Sequence, residues 1–162
     1  MWWSRRSILL GLLALAGCGF TPVYAPGSTA STLRDRVQIT APETVEGYAM
    51  LQGLRDRLGN AATPAYALTV MLDITEVAAA TTTAGSTTRY TLPGTASYML
   101  SNLAGFTLAQ GTVDSFTSYS ATGTTVATRS AQADARERLA QLLADQIVTR
   151  LSVADLTPPL TP

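Results

Sequence analysis

From Tyr66 to Thr75 the chain alternates. Tyr66, Leu68, Val70, Leu72 and Ile74 fall on one parity, and Ala67, Thr69, Met71, Asp73 and Thr75 on the other. A period of two is that of a β-strand, whose side chains point alternately to opposite faces. One face is strongly apolar and the other mixed, the pattern of a sheet covered on one side. A shorter alternation, Val37 and Ile39 within Arg34–Ala41, marks a first strand that Pro42 ends. Further on, Thr88–Asn102 holds Tyr90, Leu92, Ala96, Tyr98 and Leu100 on one parity straight across Pro93-Gly94. Either two strands meet there at a turn, or one strand carries a bulge or an edge proline. The preserved parity favours one interrupted strand. Phe106–Ser120 reads as the last strand, and its slip of pattern between Leu108 and Val113 points to a bulge near Gly111. Ala78–Thr88 is small and polar, a hairpin loop or flexible tip, and Asn102–Gly105 is a turn.

Two stretches follow a period near 3.6 instead. In residues 43–58, Val45, Tyr48, Ala49, Leu51, Leu54 and Leu58 recur at helical spacing, with Thr44 as N-cap and Gly59-Asn60 as the stop. In residues 130–151, Ala135, Leu139, Leu142, Leu143, Ile147 and Leu151 form the stripe, Arg136, Glu137, Gln141 and Asp145 stay in water, and Ser130 caps. The order is strand, helix, three strands, helix. Helices with one apolar stripe bury it against a sheet with one apolar face. The expected fold is therefore α+β: a two-layer sandwich, two helices packed on one face of a four-stranded, mostly antiparallel sheet. Short connections pair the last three strands as a meander and leave the place of the first strand open.

The N-terminus follows neither pattern. Arg5 and Arg6 precede an apolar run, Ile8–Ala16, that is too short to span a bilayer, which takes roughly 20 residues. Leu15, Ala16 and Gly17 then lead to Cys18, the only cysteine. This stretch resembles a bacterial lipoprotein signal. The resemblance implies that the Cys18 thiol takes a diacylglycerol and that the chain is cut just before it. Gly19 follows where an aspartate often signals retention in the inner membrane, which implies delivery to the outer membrane. The expected organisation is a signal peptide at 1–17, a lipidated tether at 18–36, read as extended, a sandwich domain at 37–152 and a proline-rich tail at 153–162.

Composition narrows the chemistry. There is no histidine and no lysine, and acidic and basic residues number eleven each, two of the arginines lying in the leader. A dedicated nucleic-acid binder would carry a basic stripe. Without histidine, and with the one thiol committed to lipid, Ser-His and Cys-His catalysis and the usual zinc sites are excluded, as are intrachain disulfides. Asp73, Glu76 and Asp114 are the candidate carboxylates, yet no nucleophile pattern or glycine-rich phosphate loop accompanies them. The chain reads as a non-enzyme that uses no cofactor beyond its covalent lipid.

CGFTPVYAPG (Cys18–Gly27), Tyr66 and Leu68, Thr88-Arg89-Tyr90, Tyr98–Leu100, Ser118–Ser120 and the alanine-rich last helix with Asp134 and Ala135 together carry a second resemblance. With this element order, the chain is similar to the lipopolysaccharide-assembly lipoprotein family LptE, formerly RlpB, in its alphaproteobacterial form. The resemblance covers essentially the whole chain. It implies an outer-membrane lipoprotein facing the periplasm that assembles with a large β-barrel, LptD, and plugs its lumen, with no reaction catalysed. It also implies that lipopolysaccharide itself can be a ligand. A barrel lumen is polar, and the Thr and Ser on the outer parity of the strands suit it, as they equally suit a solvated sheet face. Phe20, Pro22 and Tyr24 are candidates to fix the anchor segment against domain or barrel. Arg89, at a strand start beside the soft loop, is the candidate lipopolysaccharide contact, since a guanidinium offers phosphate a planar fork of donors. The alternatives are a generic tethered periplasmic scaffold or binding lipoprotein with another partner, and a lipopolysaccharide carrier.

Overall fold

A computed structural model of the chain describes residues 28–83 and 85–156. In chain order the elements are α1 (Thr29–Leu33), β1 (Val37–Thr40), α2 (Val45–Leu58), β2 (Tyr66–Ile74), β3 (Val77–Thr81), β4 (Thr87–Asn102), β5 (Thr107–Ser120) and α3 (Thr125–Ser152). The fold is α+β, with helices against one face of a mixed sheet. The sheet has five strands and the described residues three helices, where the periodicity led us to expect four and two.

The fifth strand comes from a break. β4 runs unbroken through Pro93-Gly94, pairing β5 along one edge and both β2 and β3 along the other. Ile74 faces Gly94 and Val77 faces Thr91, so the register is the same on both sides of the gap. Between them, the Thr75 amide donates to the Pro93 carbonyl at 3.0 Å. Proline has no N–H to return that bond, and the ladder lapses there. β2 and β3 are thus one edge strand cut where its neighbour lacks a donor. β1 adds outside β2 and parallel to it, through the α2 crossover.

The second irregularity lies elsewhere than expected. Leu100 faces Ala109 and Ser101 faces Thr107, so the extra residue is Leu108, not one at Gly111. Gly111 has a different reason: a Cβ there would stand 2.8 Å from the Tyr98 hydroxyl oxygen. The glycine makes room for the ring across the ladder, and the apolar pattern lapses at that position without any slip of register.

Between the layers, Leu68, Val70, Leu92, Ala96, Leu100 and Val113 of the sheet meet Leu139, Leu143, Ile147 and Leu151 of α3 and Met50, Leu54 and Leu58 of α2, all buried. The α2 face differs from the expected stripe. Gly47, Met50, Gly53, Leu54 and Leu58 turn inward, while Val45 and Tyr48 are exposed. Small residues let the two helix backbones close up: a Cβ on Gly53 would lie 3.3 Å from that of Ala144. On α3, Ala140, Ala144 and Val148 join the buried face and Leu142 is exposed. The cap of α3 is Thr124 rather than Ser130; its hydroxyl accepts from the Ala127 amide at 3.3 Å. At α2, the expected cap Thr44 accepts from the Gly47 amide at 3.0 Å, and Gly59 ends the helix at φ 81°. Residues 29–33, expected to be extended, form α1. Ser28 caps it, Ala30 and Leu33 are buried, and the Thr29 hydroxyl donates to the Ala154 carbonyl at 3.1 Å.

Candidate functional site

The helices cover only one face of the sheet. The even positions of β5 and the odd positions of β2 and β4 point away from them, and among the described residues nothing packs on that side. Reading across β2, β4 and β5, the rows are Thr69–Met99–Gln110, Met71–Ser97–Thr112 and Asp73–Thr95–Asp114. Next come Pro93–Phe116 and Thr91–Ser118. Arg89, facing Ser120, closes the array. Seven of these fifteen side chains are short hydroxyls, the commonest kind on the face. Met71, Met99 and Phe116 are the large apolar ones, and all three are exposed.

Charge on this face is sparse. Arg89 is the only basic residue in the five strands, and Asp73 and Asp114 are the only acidic ones. The two aspartates flank Thr95 two strand spacings apart, ~10 Å, too far to share a proton or a metal. No group of metal-holding side chains occurs among the described residues. Arg89 lies at the β3 end of the face, exposed, with hydroxyl neighbours rather than other cations. The expected water-facing placement of Asp73 holds. Cys18, Phe20, Pro22 and Tyr24 lie outside the described residues.

A charged cluster sits on the helix side, beneath the gap between β2 and β3. Arg136, expected in water, is half-buried there. It reaches Glu46 of α2 at 3.1 Å and Glu76 of the gap at 3.6 Å, and the Gln132 amide nitrogen donates to Glu76 at 2.6 Å. Glu76, a candidate carboxylate, is thereby engaged in a structural bridge from the broken edge to both helices. The Tyr90 and Tyr119 rings stack at 5.3 Å close by. Burial first, and the Glu76 carboxylate second, push the Tyr119 hydroxyl up to about 12. Between pH 10 and 12 the unfolded tyrosine has lost its proton while the folded one keeps it. Stability therefore falls as pH rises through that window. Unfolding midpoints measured from pH 9 to 12 should show this fall, and Tyr119→Phe should flatten it.

Periodicity in the sequence revealed the open face, because parity alone separates Thr69, Met71 and Asp73 from the core side. It missed Phe116 as part of that face, and it missed the Glu46–Arg136–Glu76 cluster, since nothing in a strand gap's sequence says which side its carboxylate will take.

This fold recurs in solved lipoproteins. A candidate lipoprotein from Caulobacter crescentus is similar at 25% identity and a TM-score of 0.62, over 76% of this chain and 92% of that one. Lipoprotein B from Nitrosomonas europaea matches at 14% identity and a TM-score of 0.58, over 83% of this chain and 90% of that one. Rare lipoprotein B from Shewanella oneidensis matches at 12% and 0.55, over 72% and 92%; at these two identities the likeness is one of fold alone. A comparison with curated proteins gives no match. A family model described as LptE, lipopolysaccharide-assembly, matches residues 33–151.

Proposed function

We infer that this chain, which belongs to the lipopolysaccharide-assembly family LptE, acts as the lipoprotein seated in the lumen of an outer-membrane β-barrel of the LptD type. Membership makes it a lipid-anchored outer-membrane protein of lipopolysaccharide assembly, and not an enzyme. The plug role and the choice of barrel are our reading. The observation that carries it is the helix-free face: a broad sheet surface in which threonine and serine are the commonest residues, with only three charges. A barrel lumen is lined by polar side chains. Short hydroxyls can bond to such a wall with little rotamer entropy to lose. We further assign Cys18 as the lipid attachment point, with Phe20, Pro22 and Tyr24 fixing the segment that follows.

Direct lipopolysaccharide contact at Arg89 is the weaker reading. A phosphate-rich ligand would meet one guanidinium at the end of a face whose centre carries Asp73 and Asp114. That arrangement suits a protein wall better than a polyanion.

Mild-detergent capture of the protein from its own membranes, followed by mass spectrometry, tests the proposal. A transporter-type barrel in one-to-one amount is the expected result. Recovery alone, with unchanged surface lipopolysaccharide after depletion, would return the protein to the class of tethered scaffolds.

A further inference from the structure

The two ends of the sandwich differ. At one end the described residues of the β3–β4 connection are Thr82, Thr83, Gly85 and Ser86, small and polar. At the other the β4–β5 connection is Leu103, Ala104, Gly105 and Phe106, with Leu103 66% and Phe106 49% exposed. Tight turns favour glycine, asparagine, aspartate and serine, so leucine and phenylalanine at the tip of one need a reason. The tip is firmly held. The Gly105 amide donates to the Asn102 carbonyl at 3.0 Å, with Gly105 at φ 88°. The Asn102 amide donates to the Phe106 carbonyl at 3.0 Å, and the Asn102 side-chain oxygen accepts from the Phe106 amide at 2.9 Å. The two apolar side chains are therefore displayed by a fixed scaffold.

The same end receives the N-terminal segment. Asn102 faces Tyr66, and Tyr66 faces Val37, the first residue of β1. The Arg36 carbonyl accepts from the amides of Ala65 and Tyr66, and the Asp35 amide donates to the Leu58 carbonyl at the end of α2. α1, just before, is bonded to Ala154 beyond α3. Val153, 80% exposed, adds a third apolar side chain at this end. Arg34, Arg36 and Arg150 stand among Asp35, Asp56 and Asp155 here, so the end is not strongly acidic. Cys18 lies ten positions before Ser28, a span of at most ~35 Å even when fully extended.

We propose that, while the domain is not seated in a barrel, the β4–β5 hairpin tip, Leu103 and Phe106, docks into the interfacial region of the phospholipid leaflet that holds the lipid anchor. The lipid alone leaves the domain free to swing on its tether. A second, protein-borne apolar contact at the tethered end fixes that end toward the membrane and lengthens residence there, since its contribution adds to that of the lipid within one molecule. The polar hairpin and the start of α3 then point away. This inference rests on the lipid-anchored location of the family and not on the plug.

The test uses the full lipidated protein in vesicles of phosphatidylethanolamine and phosphatidylglycerol, some with brominated acyl chains. The two tryptophans, Trp2 and Trp3, both precede Cys18, so the processed chain carries none and a single one can be placed at will. Phe106→Trp is expected to emit at shorter wavelength on vesicles and to be quenched by brominated lipid at least threefold more than Val126→Trp, which sits in the first turn of α3. Equal quenching at the two positions, or none at 106, overturns the proposal. As a second measurement, Leu103→Ser with Phe106→Ser should speed transfer of the protein between vesicles roughly tenfold, and an unchanged rate overturns it as well. The vesicles contain no barrel, so the outcome is independent of whether a barrel co-purifies.

Discussion

Leu139→Ala should lower the unfolding free energy by about 3 kcal/mol, within the range seen when a fully buried leucine is cut back to alanine. Leu139 is wholly inaccessible and comes down from α3 onto the sheet at Gly94. That glycine is the matching half of the contact: a Cβ built on it would stand 2.8 Å from Leu139 Cδ2 and 3.2 Å from its Cγ. Gly94→Ala in the natural background should therefore cost about 1–2 kcal/mol, because the leucine has no free space to swing into. In the Leu139→Ala background the new methyl enters the cavity, and most of that cost should vanish. Urea unfolding of the four proteins measures the coupling, which should exceed about 0.5 kcal/mol for side chains in contact. Simple additivity would mean that the sheet and α3 do not meet at this point.

Cys18→Ser should move the protein from the outer-membrane fraction to the soluble one. On the reading that Cys18 carries the lipid, a hydroxyl is a poor substitute for its thiolate as acceptor of the glyceryl group, so no acyl chain would be attached. Each buried CH2 of such a chain contributes roughly 0.8 kcal/mol, and two or more chains are needed for a stable tether. Losing all of them outweighs anything that Leu103 and Phe106 can offer alone, so membrane recovery should fall by orders of magnitude. Fractionation with mass spectrometry of the N-terminus reads both the location and the lipid. Full membrane recovery of the serine variant would place the attachment elsewhere.

Parity was the most informative feature of the sequence. It placed Leu68 and Val70 in the core and Asp73 in water, and it carried β4 correctly through Pro93-Gly94. Local rules worked where a single side chain decides, as at the Thr44 cap and the Gly59 stop. They failed where a contact between distant elements decides. Val45 and Tyr48 read as core residues by spacing, but α2 buries Gly47, where the Pro42 carbonyl leaves no room for a side chain, and Gly53, on which Ala144 packs closely. Arg136 reads as a solvated charge by spacing, but two carboxylates from α2 and the strand gap converge on it. The break after β2 is written in another strand, at Pro93, and no reading of Thr75-Glu76 alone could have found it. The open face was visible as alternation, whereas its extent depended on knowing that β4 is flanked along its whole length.

The lapse at Pro93 also has a kinetic meaning. All five residues of β3 are exposed, and the strand is fastened only to β4. Beyond it, the loop at 82–86 holds itself with its own short bonds. With no reciprocal bond at the gap, peeling of β3 need not propagate into β2, whose ladder begins afresh at Gly94. Amide exchange in residues 77–81 should then be fast and indifferent to core mutations, while Leu68–Leu72 exchanges only with global unfolding. A proline acts here as a firebreak: the arm can open, or drift in sequence, without drawing on the stability of the domain that carries it.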